Sequence, residues 1–140
     1  MSYNSEFRRS IDQRDDFWRE QAQHIDWIKA PNTIWRALDN GHGEWFPDGE
    51  LNTSDVALDA NIRAGRGDQK ALIYDSPVTN TKQSFTYNEL RDEVALFAGA
   101  LRARGVEKGD RVIIYMPMIP QAAIAMLACA RLGAIHSVVF

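Results

Sequence analysis

Several things are scarce in this chain, and each scarcity excludes a class of protein. It has one cysteine, Cys129, in 140 residues, so no internal disulfide framework can form. The Ala-rich surroundings of Cys129 point to a small buried hydrophobe. The three histidines, His24, His42 and His136, are not spaced with one another, with cysteine or with an acid as a zinc or iron set would be. The pattern predicts His24 on a helix surface, His42 in a loop and His136 as a hydrogen-bonded structural residue at the start of an inner strand. Positive charge is also short: 16 Lys and Arg against 19 Asp and Glu give −3, which is no electrostatic footprint for nucleic acid. The longest apolar stretch, Ile119 to Ala130, is broken by Pro120 and Gln121 and falls short of the roughly 20 residues of a membrane span. Met1 to Arg9 lacks the apolar run of a secretory signal, so no membrane partner is expected and the predicted location is cytoplasmic.

Two nucleotide-binding signatures are missing as well. No Gly-x-Gly-x-x-Gly follows a predicted strand, which disfavours the dinucleotide-binding module of an oxidoreductase. The stretch Gly65-Arg-Gly-Asp-Gln-Lys70 lacks the Gly-Lys-Ser/Thr ending of a phosphate loop and precedes a strand instead of opening a helix. It is predicted as a turn.

What is present is ordinary globular composition, 45% hydrophobic and 25% charged, and a well-punctuated carboxyl-terminal third. Val112 to Tyr115 is a short β-branched run closed by Met116-Pro117. Pro120 sits where a helix can start without its N–H, and Gln121 to Leu132 are strong helix formers. Gly133 suits the left-handed turn that ends a helix, after which Ile135 to Phe140 is again strand-like. This is a parallel βαβ unit, and parallel strands are apolar because helices cover both faces of their sheet. With one crossover present, the fold class expected is α/β, as the front part of a larger parallel-sheet protein.

Upstream, Asp12 to Ile28 reads as one amphipathic helix, with Asp12 near its cap and Phe17, Ala22, Ile25 and Ile28 at helical spacing. Trp18 and Trp27 widen its apolar side. Gly41, Gly43, Pro47 and Gly49 make the following segment loop-rich, with too few apolar residues between Pro31 and Asn52 to give that helix a surface. Thr53 or Ser54 is predicted to cap a short helix ending near Arg63. A hairpin then pairs Lys70 to Asp75 with Gln83 to Phe85. Thr86 and Glu89 form a capping box flanked by Phe85 and Leu90. They open a helix with Leu90, Val94, Phe97 and Leu101 as its buried face and Gly105 at its end. The predicted division is an extension, 1–52, packing over a main domain whose first part is 53–140.

Chemistry is scarce too. The Met116-Pro-Met-Ile-Pro120 corner follows the carboxyl end of a parallel strand, the edge where open α/β sheets bind ligands. Its side chains can shape a cavity but cannot move a proton, and no nucleophile, base or paired carboxylate set can be argued from spacing.

Taken together, several stretches resemble the acyl-adenylate-forming superfamily, in its branch of short-chain acyl-CoA synthetases. They are Phe17-Trp18, Ile25-Asp26-Trp27, Trp45-Phe46 with Leu51-Asn52, Gly65 to Thr79, Gly105-Val-Glu-Lys-Gly-Asp-Arg-Val112 and His136-Ser-Val-Val-Phe140. The Gly65 to Thr79 stretch is similar to propionate–CoA ligases more than to acetate–CoA ligases. One departure lies at Val56, Ala60 and Asn61, where the family usually has Asn, Arg and His. The resemblance implies that the chain is the first portion of the large domain of an AMP-forming ligase, truncated after Phe140. Such a ligase uses ATP and Mg2+ to convert a short carboxylate into an acyl-adenylate and then passes the acyl group to coenzyme A. It also implies that Phe140 lies beside the adenine end of coenzyme A, that no catalytic or metal-binding residue lies in this chain, and that the 140 residues alone are inactive. The partners implied are the small carboxylate and the remainder of the same domain, and the unfinished sheet adds an expectation of self-association. The alternative is a stand-alone interaction domain without a catalytic half.

Overall fold

The computed structural model describes residues 2–139, which divide between two compact units, one reaching to Leu51 and one starting at Asn52. In the first unit, helix α1 spans Tyr3–Asp12. Ser2 and Ser5 open it reciprocally: the Ser5 N–H donates to the Ser2 hydroxyl at 3.3 Å and the Ser2 N–H to the Ser5 hydroxyl at 3.2 Å. Gln13 (φ −125, ψ 47) breaks the helix, and α2 follows over Arg14–Ala22. The single helix predicted for Asp12 to Ile28 is therefore corrected at both ends. The carboxyl-terminal reason is a side chain: the Trp27 indole N–H donates to the Ala22 carbonyl at 2.7 Å. That occupies an orphan acceptor at the helix end and folds the chain back. An Arg9–Glu20 ion pair ties α1 to α2.

The segment predicted as loop contains an antiparallel pair, β1 (Trp35–Ala37) and β2 (Gly43–Trp45). Trp35 and Trp45 are register partners with ring centroids 4.9 Å apart, and Trp18 of α2 meets Trp45 edge-on at 5.6 Å. The hairpin thus supplies the surface that the sequence was expected to lack, because three large rings do the work of many aliphatic residues. Gly43 makes this possible, since a Cβ there would lie 1.9 Å from the Trp35 ring.

The second unit begins with a helical stretch over 53–66, π-helical at Asp55–Asp59 and Ile62–Arg66 and kinked at Gly65. Its cap is neither Thr53 nor Ser54. Asn52 takes that place, its Oδ1 accepting from the N–H groups of Ser54 (3.0 Å) and Asp55 (3.2 Å). Ser54 already has helical dihedrals and is fully buried. The helix leaves helical geometry at Gly65, whose φ is 77, close to the expected end near Arg63.

Strands β3 (Lys70–Ser76) and β4 (Thr81–Thr86) form the predicted hairpin, and helix α3 spans Tyr87–Ala103. The capping box is in place: the Glu89 N–H donates to the Thr86 hydroxyl at 3.2 Å and the Thr86 N–H to the Glu89 carboxylate at 2.7 Å. Gly105 (φ 87) lets the chain leave α3. Next come β5 (Arg111–Tyr115), α4 (Pro120–Leu132) and β6 (Ile135–Val139), with β5 and β6 parallel and in register from Arg111↔Ile135 to Tyr115↔Val139. Pro120 is in the first turn of α4, and Gly133 ends it at φ 74.

Helix α4 is buried on two sides. Ile124 and Ala128 join Leu58, Leu90, Val94 and Ala98, while Ala125 and Cys129 pack with Ile114 and Ala134. Small side chains on the second side bring the helix close to the sheet. Each buried Leu or Val of this core contributes about 1.5–3 kcal/mol over exposure. The parallel pair is covered on that side only. Ile113 (67% exposed), Tyr115 (78%), Ile135 (57%) and Val139 (44%) line the opposite face. The bare face agrees with the expectation of an unfinished sheet: among the described residues β6 pairs with β5 alone.

Candidate functional site at the carboxyl edge of the parallel strands

Beyond the end of β5, the chain turns at Met116 to Pro120. Ile119 is extended (φ −125, ψ 160), as the residue before proline prefers, and Pro120 then starts α4 without needing an N–H partner. The turn, the outer part of α4, β6 and strand β3 enclose a hollow of about 300 Å³, lined by Leu72, Tyr74, Met118, Pro120, Met126 and Val138 among others. The hydroxyl of Tyr74 is the only side-chain polar group in that lining. The hollow can therefore exclude water and hold an apolar surface, and among the described residues its one side chain able to donate a hydrogen bond or a proton is Tyr74.

The polar groups cluster at the other end of α4. Asn52 Nδ2 donates to the carbonyls of Ala130 (3.1 Å) and Arg131 (3.2 Å) in the last turn of α4, the first of which also accepts from the Gly133 N–H at 3.1 Å. One side chain thus caps the start of one helix and the end of another. The Arg131 guanidinium forms a bidentate pair with Asp59, at 2.8 and 3.1 Å. Its pKa is held above the ordinary arginine value by this hydrogen bond, against a smaller opposing effect of burial. Asp55 binds Arg63 and its pKa is lowered, mainly by that hydrogen bond. Sequence reasoning missed Asn52, Asp59 and Arg131 because their partners are more than seventy positions away. The sole local signal was an Asn immediately before a run of helical residues.

Phe140, which the resemblance places beside coenzyme A, lies outside the described residues. His24 is exposed in a turn instead of on a helix, and His42 is exposed in a loop. His136 is exposed near the start of β6, opposite Val112 in the register. Cys129 is fully buried, and burial pushes its thiol pKa up, away from nucleophilic use. Gly65 to Lys70 forms a turn into β3, as expected, and the Asn88 N–H donates to the Gly67 carbonyl there. At the departures from the family pattern, Asn61 is engaged locally: its Nδ2 donates to the Ala57 carbonyl at 2.8 Å and its Oδ1 accepts from Arg66 Nε at 2.9 Å. Among the described residues no group of three or more His, Cys, Asp or Glu could hold a metal ion, so Mg2+ finds no ready ligand set there.

Two family models tile this architecture. Residues 59–140 match the AMP-binding enzyme model, and residues 3–57 match the acetyl-coenzyme A synthetase N-terminus. The chain belongs to the AMP-binding enzyme family. It is 61% identical over its whole length to an uncharacterized protein of Pseudomonas aeruginosa, covering 22% of that protein. Over 99% of its length it is 50% identical to human acyl-CoA synthetase short-chain family member 3, mitochondrial, and 49% identical to acetyl-coenzyme A synthetase 1 of Pseudomonas aeruginosa. It covers 20% and 22% of these two. Among solved structures, acetoacetyl-CoA synthetase from Streptomyces lividans superimposes with a TM-score of 0.85 at 34% identity, over 99% of this chain and 21% of that one. The α/β fold is thus that of the corresponding part of an acyl-CoA synthetase, and the chain spans about a fifth of the length of the curated relatives it matches.

Proposed function

We propose that this chain is the amino-terminal fifth of an AMP-forming short-chain acyl-CoA ligase that activates propionate with ATP and transfers the acyl group to coenzyme A. The observation that carries this reading is the joint match of both family models along one chain, 3–57 and 59–140, at about half identity to acyl-CoA synthetases of both the acetyl and short-chain types. Propionate is preferred over acetate on the Gly65 to Thr79 stretch.

The chemistry explains why such an enzyme needs ATP. A carboxylate resists nucleophilic attack because its charge is delocalised and oxide is a poor leaving group; joining it to AMP supplies a good one. Mg2+ would offset charge on the reacting phosphates, and the described residues hold no group of three or more His, Cys, Asp or Glu to bind it. What these residues contribute is shape: the Met118 to Pro120 turn, Leu72 and Val138 keep water from the carboxyl edge of β5 and β6. Phe140, next in sequence after Val139, would lie beside the adenine end of coenzyme A. Residues 1–52 would act as an extension over the main domain, and residues 53–140 as its first part, inactive alone. The cytoplasm is the proposed location.

The test is an assay of the complete protein with propionate, acetate and a long-chain fatty acid. AMP, pyrophosphate and acyl-CoA are expected, with propionate fastest. Fastest turnover of the long-chain acid would overturn the short-chain assignment, and pyrophosphate release by residues 1–140 alone would overturn their inactivity.

A further inference from the structure

We draw no further inference here: the strongest candidate, the apolar outer face of the β5–β6 sheet where Ile113, Tyr115, Ile135 and Val139 stand exposed, carries no proposal because nothing in the structure shows what covers it.

Discussion

Arg131 and Asp59, 72 positions apart, meet through two hydrogen bonds, with the aspartate side chain 19% and the arginine side chain 30% exposed. A half-buried pair of this geometry stabilises little relative to an apolar pair, yet removing one partner strands the other. Arg131→Ala is expected to destabilise the second unit by about 1–3 kcal/mol, read as a lower urea midpoint. Arg131→Lys should recover only part of the loss, because an ammonium cannot reproduce the fork. Full recovery by lysine would show that charge alone matters.

Asn52 offers a sharper test, since its two ends serve two helices. Asn52→Ala should cost about 1–2 kcal/mol, at the upper end for a lost cap. Asn52→Asp keeps the acceptor for the Ser54 and Asp55 N–H groups while losing both donors to α4, and it should fall between wild type and alanine. Amide exchange would separate the halves: the aspartate variant should loosen the end of α4 and leave the start of the 53–66 helix protected.

Thr86→Ala should cost about 1 kcal/mol near neutral pH, with a pH dependence fixed by Glu89. The Thr86 N–H holds the Glu89 carboxyl below its ordinary pKa, with the Thr86 hydroxyl adding to the effect. A depressed carboxyl stabilises the fold above its unfolded pKa and loses that contribution as pH falls through its folded pKa. The gap between wild type and Thr86→Ala should therefore narrow as pH drops through the carboxylate range. A gap constant down to strong acid would show that the box does not form.

The bare face of the parallel pair makes a solution prediction for residues 1–140. Apolar side chains on an uncovered sheet favour association, so sedimentation across a concentration series should show species larger than a monomer. Ile113→Lys should shift the series toward monomer without lowering the urea midpoint, because Ile113 is already exposed. Monomer at every concentration in the parent chain would contradict this.

Legibility followed the range of the interaction. The α3 capping box and the Pro120 start and Gly133 end of α4 were readable because each is decided within a few residues. Asn52 and the Asp59–Arg131 pair were not, because nothing near residue 52 announces residue 131. Helix α1 was missed because its opening uses a second serine, Ser5, where the usual box has Glu or Gln, and the β1–β2 hairpin was hidden by glycines that resemble loop punctuation until Trp35 is seen filling the space over Gly43. The candidate site was legible as a corner with apolar walls, but the Tyr74 hydroxyl in its lining was not, because β3 brings it there from more than forty positions away.

The stacking of rings around β1 and β2 also decides what light reports. All four tryptophans, Trp18, Trp27, Trp35 and Trp45, belong to the unit ending at Leu51, whereas the other unit has only tyrosines, Tyr74, Tyr87 and Tyr115. Indole emission is therefore a private signal of the first unit, and far-ultraviolet ellipticity is weighted toward the long helices α3 and α4 of the second. Recorded on one sample, the two signals would give each unit its own unfolding curve without a label or a cut in the chain.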